Sequence, residues 1–146
     1  MEFSDKVSVV SLNNNFVDKI LPSVILMNSG ITRPGPHIQE GLKSIDNNQK
    51  SHLVEIKRIA VDGIECIGDG DIEKFGSLMD ESWEHKKKSN KGVSGAEFEK
   101  IYDKAKSLGA FGGKLIGSGG GGYCIFVLAP TVTEVFVDKI GQEEVD

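Results

Sequence analysis

The sequence predicts an α+β domain, an antiparallel sheet with helices packed on one of its faces. Three observations lead there. Apolar residues recur every three or four positions over three successive stretches in the middle of the chain, and short apolar runs flank that block on both sides. The last two runs are joined by a loop made almost wholly of glycine, Gly117-Ser118-Gly119-Gly120-Gly121-Gly122. Two strands, three helices, two strands and a final helix is an order that suits the α+β class.

Each element has its own signal. Val7, Val9 and Val10 beside Ser8 and Ser11 read as a short strand, and Val24-Ile25-Leu26-Met27 after Pro22 reads as a buried one, with a turn and a short helix from Asn13 onward between them. Ser29 to Pro36 is dense in breakers and reads as a loop, with Pro36 in the first turn of a helix running toward Ser44. Leu53, Ile56, Ala60, Ile64 and Ile67 have helical spacing and end at Gly68-Asp69-Gly70. Asp71 caps the next helix, whose apolar stripe is Ile72, Phe75, Leu78, Met79 and Trp83. Ser94 and Glu97 have capping-box spacing for a third helix through Phe98, Ile101, Tyr102, Ala105 and Leu108, which Gly109 stops. Lys114-Leu115-Ile116 and Tyr123 to Leu128 read as strands, and Pro130-Thr131 opens a last helix with Val132, Val135, Phe136 and Ile140.

Composition limits the function. A chain of 146 residues suits one domain that buries about two-thirds of its unfolded surface. The net charge of -5 lacks the basic footprint of a nucleic-acid binder. No apolar run approaches the roughly 20 residues needed to span a bilayer, and Met1 to Asp5 does not begin like a signal peptide, so the cytoplasm is the expected compartment. Cys66 and Cys124 are widely separated, and with His37, His52 and His85 they make no zinc spacing; buried, reduced thiols are expected, and no metal ligand.

The glycine loop carries the functional signal. Without Cβ atoms a backbone can adopt positive φ, approach a phosphate closely and present its N–H groups to it. A P-loop is excluded, because Leu108 stands where its first Gly belongs and Leu115 where its Ser or Thr belongs. Gly117, Gly119 and Gly122 satisfy the dinucleotide fingerprint, but a strand rather than a helix follows. The bland alternative is a connection between strands with no ligand.

The longer string from Gly109-Ala110-Phe111-Gly112-Gly113-Lys114 to Gly122 resembles the third conserved motif of the GHMP kinases. Glu81-Ser82-Trp83-Glu84 with Lys86, then Gly92-Val93-Ser94, resembles a stretch of the galactokinase-like and D-glycero-D-manno-heptose 7-phosphate kinase branch, and Ser29-Gly30-Ile31-Thr32-Arg33 is similar to its Thr-Gly-Ile-Ser-Arg segment. The matches run from about Phe3 to Ile140.

The resemblance implies a ferredoxin-like C-terminal domain over residues 21–146 without its final strand, preceded by a remnant of the N-terminal kinase domain and linker over residues 1–20. Gly117, Ser118, Gly119, Gly120, Gly121 and Gly122 would form a loop beside the phosphate-binding loop of the missing N-terminal kinase domain, closing the site for ATP and a sugar or sugar phosphate, heptose 7-phosphate first among them. ATP and Mg2+ would be held mostly by that other half, so this chain would carry no catalytic residue and no metal ligand, and alone would be inactive. The chain departs from the family at Pro34-Gly35-Pro36 after Arg33 and reads as truncated at both ends, with uncovered edges prone to self-association. A stand-alone ferredoxin-like module that binds a small molecule or a protein is the competing reading.

Among individual residues, Arg33 and Lys114 are candidate substrate contacts, a guanidinium matching phosphate oxygens with two parallel donors. Lys86, Lys87, Lys88 and Lys91 suit the negative end of a helix better than a substrate. Trp83 and Phe75 are spaced as core residues. His37, His52 and His85 show no carboxylate or nucleophile partners in sequence and make poor catalytic bases, and Glu40, Glu55, Asp62 and Glu65 read as solvated helix faces.

Overall fold

The computed structural model describes residues 14–32, 46–90, 92–117 and 122–142. Helix α1 (Asn14–Ile20) passes through one 3-10 turn (Leu21–Ser23), with Pro22 in its first positions, into strand β1 (Val24–Asn28). The strand expected at Val7 to Val10 and the helix expected after Pro36 lie outside the described residues.

Helix α2 (Asn47–Asp69) starts with a reciprocal cap: the Gln49 N–H donates to Asp46 Oδ1 at 2.7 Å, and the Asp46 N–H donates to Gln49 Oε1 at 2.9 Å. It stops at Gly70, whose φ of 71° is left-handed. Asp71 at once caps helix α3 (Ile72–Ser89), accepting from the Lys74 N–H at 2.9 Å. Two residues therefore turn the chain back on itself, and α2 and α3 form an antiparallel hairpin.

Helix α4 (Ala96–Ser107) follows, but without the expected capping box. Its N-cap is Gly95 with no side-chain cap bond; Ser94 lies one residue too early, and its hydroxyl donates to the Glu99 carboxylate instead. Gly109, with φ 96°, terminates the element. Strand β2 (Ala110–Ile116) then begins four residues before the expected start at Lys114. Gly112 and Gly113 are buried in it, and lacking side chains they give no apolar pattern to read. Strand β3 (Tyr123–Leu128), a 3-10 turn (Pro130–Val132) and helix α5 (Thr133–Ile140) complete the described order.

The three strands form one antiparallel sheet in the order β1-β3-β2, with Ile25 and Gly113 opposite Phe126 and a bulge at Phe111. The architecture is α+β, as expected, and among the described residues no strand follows α5. Alternation sends Cys124, Phe126 and Leu128 into the helical layer, where all three are fully buried. There an unbroken line of rings runs across four elements: Trp83 on α3 meets Phe98 on α4 at 5.5 Å, Phe98 meets Tyr102 one turn on at 5.9 Å, Tyr102 meets Phe126 on β3 at 5.8 Å, and Phe126 meets Phe136 on α5 at 5.8 Å. Such pairs contribute about 0.5–1.5 kcal/mol each beyond the area they bury, so this line fixes the sheet against the helices. Trp83 is core, as its spacing implied, and Phe75 packs edge-on against Phe16 of α1 at 5.7 Å.

Val127 has the opposite parity yet is also buried, because Gly76 of α3 lies over its Cγ1. Gly112 on the same face is buried and Val24 and Ile125 are half-buried, but toward the glycine loop that second face opens: Leu26 is 60% exposed, Tyr123 53% and Ile116 39%.

Candidate functional site: the glycine loop and the segment tied to it

Strands β2 and β3 form a hairpin whose connection is the glycine loop. Gly117 and Gly122 stand at its two ends with φ of 105° and 96°, conformations that side-chain-bearing residues rarely adopt. Strand β3 begins directly after Gly122, so no helix opens where a dinucleotide fold would need one. Ser118, Gly119, Gly120 and Gly121 lie outside the described residues.

Gly122 is joined to the segment that leaves β1. Its carbonyl accepts both the Ser29 N–H at 2.8 Å and the Ser29 hydroxyl at 2.7 Å, and its N–H donates to the Ile31 carbonyl at 3.0 Å. Ser29 Oγ also accepts from the Ile31 N–H at 3.3 Å, and Asn28 Oδ1 from the Gly30 N–H at 3.0 Å, while Gly30 turns the chain with φ 69°. Two stretches that stand far apart in the sequence, Ser29-Gly30-Ile31 and the Gly122 end of the glycine loop, are thus joined by hydrogen bonds. Arg33 follows Thr32 directly and lies outside the described residues. Lys114 is exposed on β2, opposite Ile125, on the open face that also carries Leu26 and Ile116.

The loop's base is held by α3 and α4. Helix α3 crosses β2 so closely that a Cβ on Gly112 would lie 2.1 Å from the Gly76 carbonyl oxygen. The Gly113 N–H donates to the Tyr102 hydroxyl at 3.3 Å, and that hydroxyl donates to Asp80 Oδ1. Burial first, then the Asp80 carboxylate, raises the Tyr102 pKa and keeps the phenol protonated as a donor. Lys106 reaches both Asp80 Oδ2 at 3.1 Å and the Phe111 carbonyl at 2.7 Å. The helical period places Tyr102 in the core but gives no sign of this polar link, because Asp80, Tyr102 and Gly113 meet only after three elements have packed.

Elsewhere the expectations divide. Cys66 and Cys124 are free and buried; burial pushes the Cys124 thiol up to about 11. Lys87 bridges Glu84 at 2.6 Å and Glu99 at 3.0 Å, linking α3 to α4. Burial opposes its charge, but the two carboxylates prevail and raise its pKa. That is a structural use of the lysine run. His52 and His85 partner each other, which the sequence does not show: their Nδ1 atoms lie 3.0 Å apart across the α2–α3 hairpin. Glu55 and Asp62 are not merely solvated either, since both bind Arg58, as does Glu81 of α3. The helical spacing of these residues is legible in the sequence; that two faces oppose each other is not.

Residues 64–137, just over half of the chain, match the family described as GHMP kinases C terminal. The chain belongs to this family. As a GHMP kinase C-terminal domain it is 28% identical over 150 aligned residues to a D-glycero-alpha-D-manno-heptose 7-phosphate kinase of Campylobacter jejuni, covering 99% of this chain and 44% of that protein. It is 35% identical over 120 residues to the L-fucokinase/L-fucose-1-P guanylyltransferase of Bacteroides fragilis, covering 80% of this chain and 12% of that one. Among solved structures, a D-glycero-D-manno-heptose 1-phosphate kinase from Bacteroides thetaiotaomicron matches with TM-score 0.59 and 25% identity, over 92% of this chain and 34% of its own. The Methanococcus jannaschii mevalonate kinase matches in fold, with TM-score 0.70 and 23% identity over 94% of this chain and 42% of its own. The chain spans less than half the length of each of these relatives.

Proposed function

We propose that this GHMP domain works as the C-terminal half of an ATP-dependent sugar-phosphate kinase, with a heptose 7-phosphate as substrate and ATP with Mg2+ as phosphoryl donor. The observation that carries this reading is the pairing of Gly122 with Ser29 and Ile31, which joins the segment leading to Arg33 to the glycine loop. In this reading residues 1–20 belong with the N-terminal half and residues 21–146 form the C-terminal domain. Gly117 to Gly122 lie against the nucleotide phosphates, where the missing Cβ atoms let backbone N–H groups approach. Arg33 meets the phosphate of the sugar with its paired donors, and Lys114 adds positive charge at the cleft.

Phosphoryl transfer depends on positioning and on stabilising the transferred charge. This half supplies shape and donors, and the N-terminal half supplies the groups that hold ATP, Mg2+ and the reacting hydroxyl. The purified 146-residue chain is therefore expected to show no ATP-dependent phosphorylation of any sugar phosphate. A chimera that joins the N-terminal half of the Campylobacter jejuni relative to this chain is expected to phosphorylate heptose 7-phosphate, and to lose that activity when Gly119 and Gly120 are replaced by valine. Turnover by the chain alone, or a folded chimera inactive on every sugar phosphate offered, would refute the proposal.

A further inference from the structure

The α2–α3 hairpin brings together a second group of side chains in which the glycine loop has no part. His52 and Glu55 lie three residues apart on α2, and Glu81 and His85 four apart on α3, so each pair shares one helix face. The two-residue turn at Gly70-Asp71 aligns the helices so that these faces meet. One carboxylate oxygen from each of Glu55 and Glu81 and a ring nitrogen of His85 lie within 4.8 Å of one another. We propose that Glu55, Glu81 and His85 bind a divalent transition-metal ion of the zinc type, with His52 orienting His85, and that the ion clamps α2 to α3.

The donor chemistry fits. One imidazole and two carboxylates suit Zn2+ or Co2+, and three protein ligands leave a fourth tetrahedral position open to water. Bonds of about 2.0–2.2 Å place tetrahedral ligand atoms roughly 3.4 Å apart, so side chains whose atoms lie within 4.8 Å of one another must draw in by up to about 1.4 Å. Glu81 is exposed and Glu55 and His85 are only half-buried, so side-chain rotation suffices. His85 has a hydrogen-bond partner for its other ring nitrogen, His52 standing where a carboxylate or carbonyl more often does. When its Nδ1–H donates to His52 Nδ1 at 3.0 Å, Nε2 is left with the lone pair that a metal requires.

Arg58 holds the two carboxylates in the absence of an ion, with Nε 2.9 Å from Glu55 Oε2 and Nη2 2.7 Å from Glu81 Oε1. Its Nη1 pairs with Asp62, so it keeps a partner when an ion takes the glutamates. The guanidinium thus competes with the metal, and this distinguishes the proposed site from any other: removing Arg58 must tighten binding while removing His85 abolishes it.

The test is a ZnCl2 titration of the purified 146-residue chain by calorimetry, with Co2+ absorption reporting the coordination geometry and far-UV circular dichroism confirming that each variant folds. One ion per chain is expected, with a tetrahedral Co2+ spectrum and a raised melting temperature. His85→Ala and the exposed-site variant Glu81→Gln should each weaken binding by more than about tenfold, His52→Ala by about 10–100-fold, and Arg58→Met should strengthen it. His37→Ala should change nothing. Absence of binding at millimolar Zn2+, or binding that survives both His85→Ala and Glu81→Gln, would overturn the assignment.

Discussion

Replacing Gly76 by alanine tests how closely α3 lies against the sheet, because two physical effects of known size act in opposite directions. Gly76 is inside α3, and Gly→Ala in a helix interior stabilises by about 0.8–1.0 kcal/mol through propensity alone. The added Cβ, however, would lie 2.4 Å from Phe111 Cβ and 3.3 Å from Val127 Cγ1. Carbon atoms pack best at about 3.5–4.0 Å, so the helix and β2 must separate by about 1 Å. A Cβ cannot swing aside as a side-chain tip can, so the main chain itself must move. Overpacking of this kind costs typically about 1–3 kcal/mol, occasionally more, and here the closest contact is to a fixed atom. The clash should win, leaving Gly76→Ala about 1–2 kcal/mol less stable than the parent. Gly63 in α2 is the control: among the described residues nothing lies within 4 Å of the point where an alanine methyl would stand, so Gly63→Ala should gain close to the full propensity value. The single tryptophan, Trp83, is buried and reports urea unfolding by fluorescence. If Gly76→Ala proves as stable as the parent or more so while Gly63→Ala gains as expected, the close packing of α3 on β2 is wrong.

Three further outcomes follow from the same geometry. Tyr102→Phe leaves the Gly113 N–H and the Asp80 carboxylate without their phenol, and should cost about 1–3 kcal/mol in urea unfolding. Burial raises the Cys124 thiol from its ordinary 9.0 to about 11, so the folded state holds that proton more tightly than the unfolded chain does; its contribution is complete below pH 9 and fades by roughly 2–3 kcal/mol as pH rises through about 11. Tyr102, raised by burial and Asp80, adds a loss of the same sign above about pH 10, and unfolding midpoints measured from about pH 8 to 11 should fall steadily, less steeply in Cys124→Ala. The open sheet face with Leu26 and Tyr123 should make the purified chain self-associate, and Leu26→Lys with Tyr123→Lys should shift sedimentation toward monomer.

Helices are legible in this sequence wherever side chains carry the period. Asp71 before Ile72 and Gly70 after Asp69 mark their boundaries as local capping chemistry requires, and so does Asp46 with Gln49 three residues on. Ser94 with Glu97 has the same spacing and misleads, since the choice between N3 amide and Glu99 is made by where the chain enters α4, which depends on packing. Strand β2 is half legible: Leu115 and Ile116 announce a strand, but Gly112 and Gly113 are silent. For the candidate site, glycine density singles out the connection between β2 and β3, and Gly117 and Gly122 at its ends have the positive φ that glycine permits. The bond from Ser29 to Gly122 spans 93 residues, and the pairing of His52 with His85 spans 33, separations at which no periodicity in the chain carries information.

The glycines of this domain serve two opposite purposes, and the boundary between them falls within one strand. Gly112 and Gly113 are buried, and a Cβ on either would collide with main-chain atoms, at 2.1 Å from the Gly76 oxygen for the first and 2.5 Å from the Ile125 oxygen for the second. They are small so that α3 and Phe126 can come close, which makes that part of β2 rigid. Among the described residues nothing lies within 4 Å of a Cβ placed on Gly117, and one on Gly122 meets the Ile116 carbonyl oxygen at 3.9 Å; both have positive φ, so they are glycine for the sake of backbone conformation. On the proposed function the loop would place N–H groups against a ligand, which needs freedom in its own backbone and none in its supports. The Tyr102 hydroxyl on Gly113, Lys106 on Phe111 and Ser29 on Gly122 supply that fixity on both sides of the loop. The same residue type therefore serves first for packing and then for backbone conformation, and a substitution at Gly112 should act on stability, whereas on the proposed function one at Gly119 would act on phosphate binding.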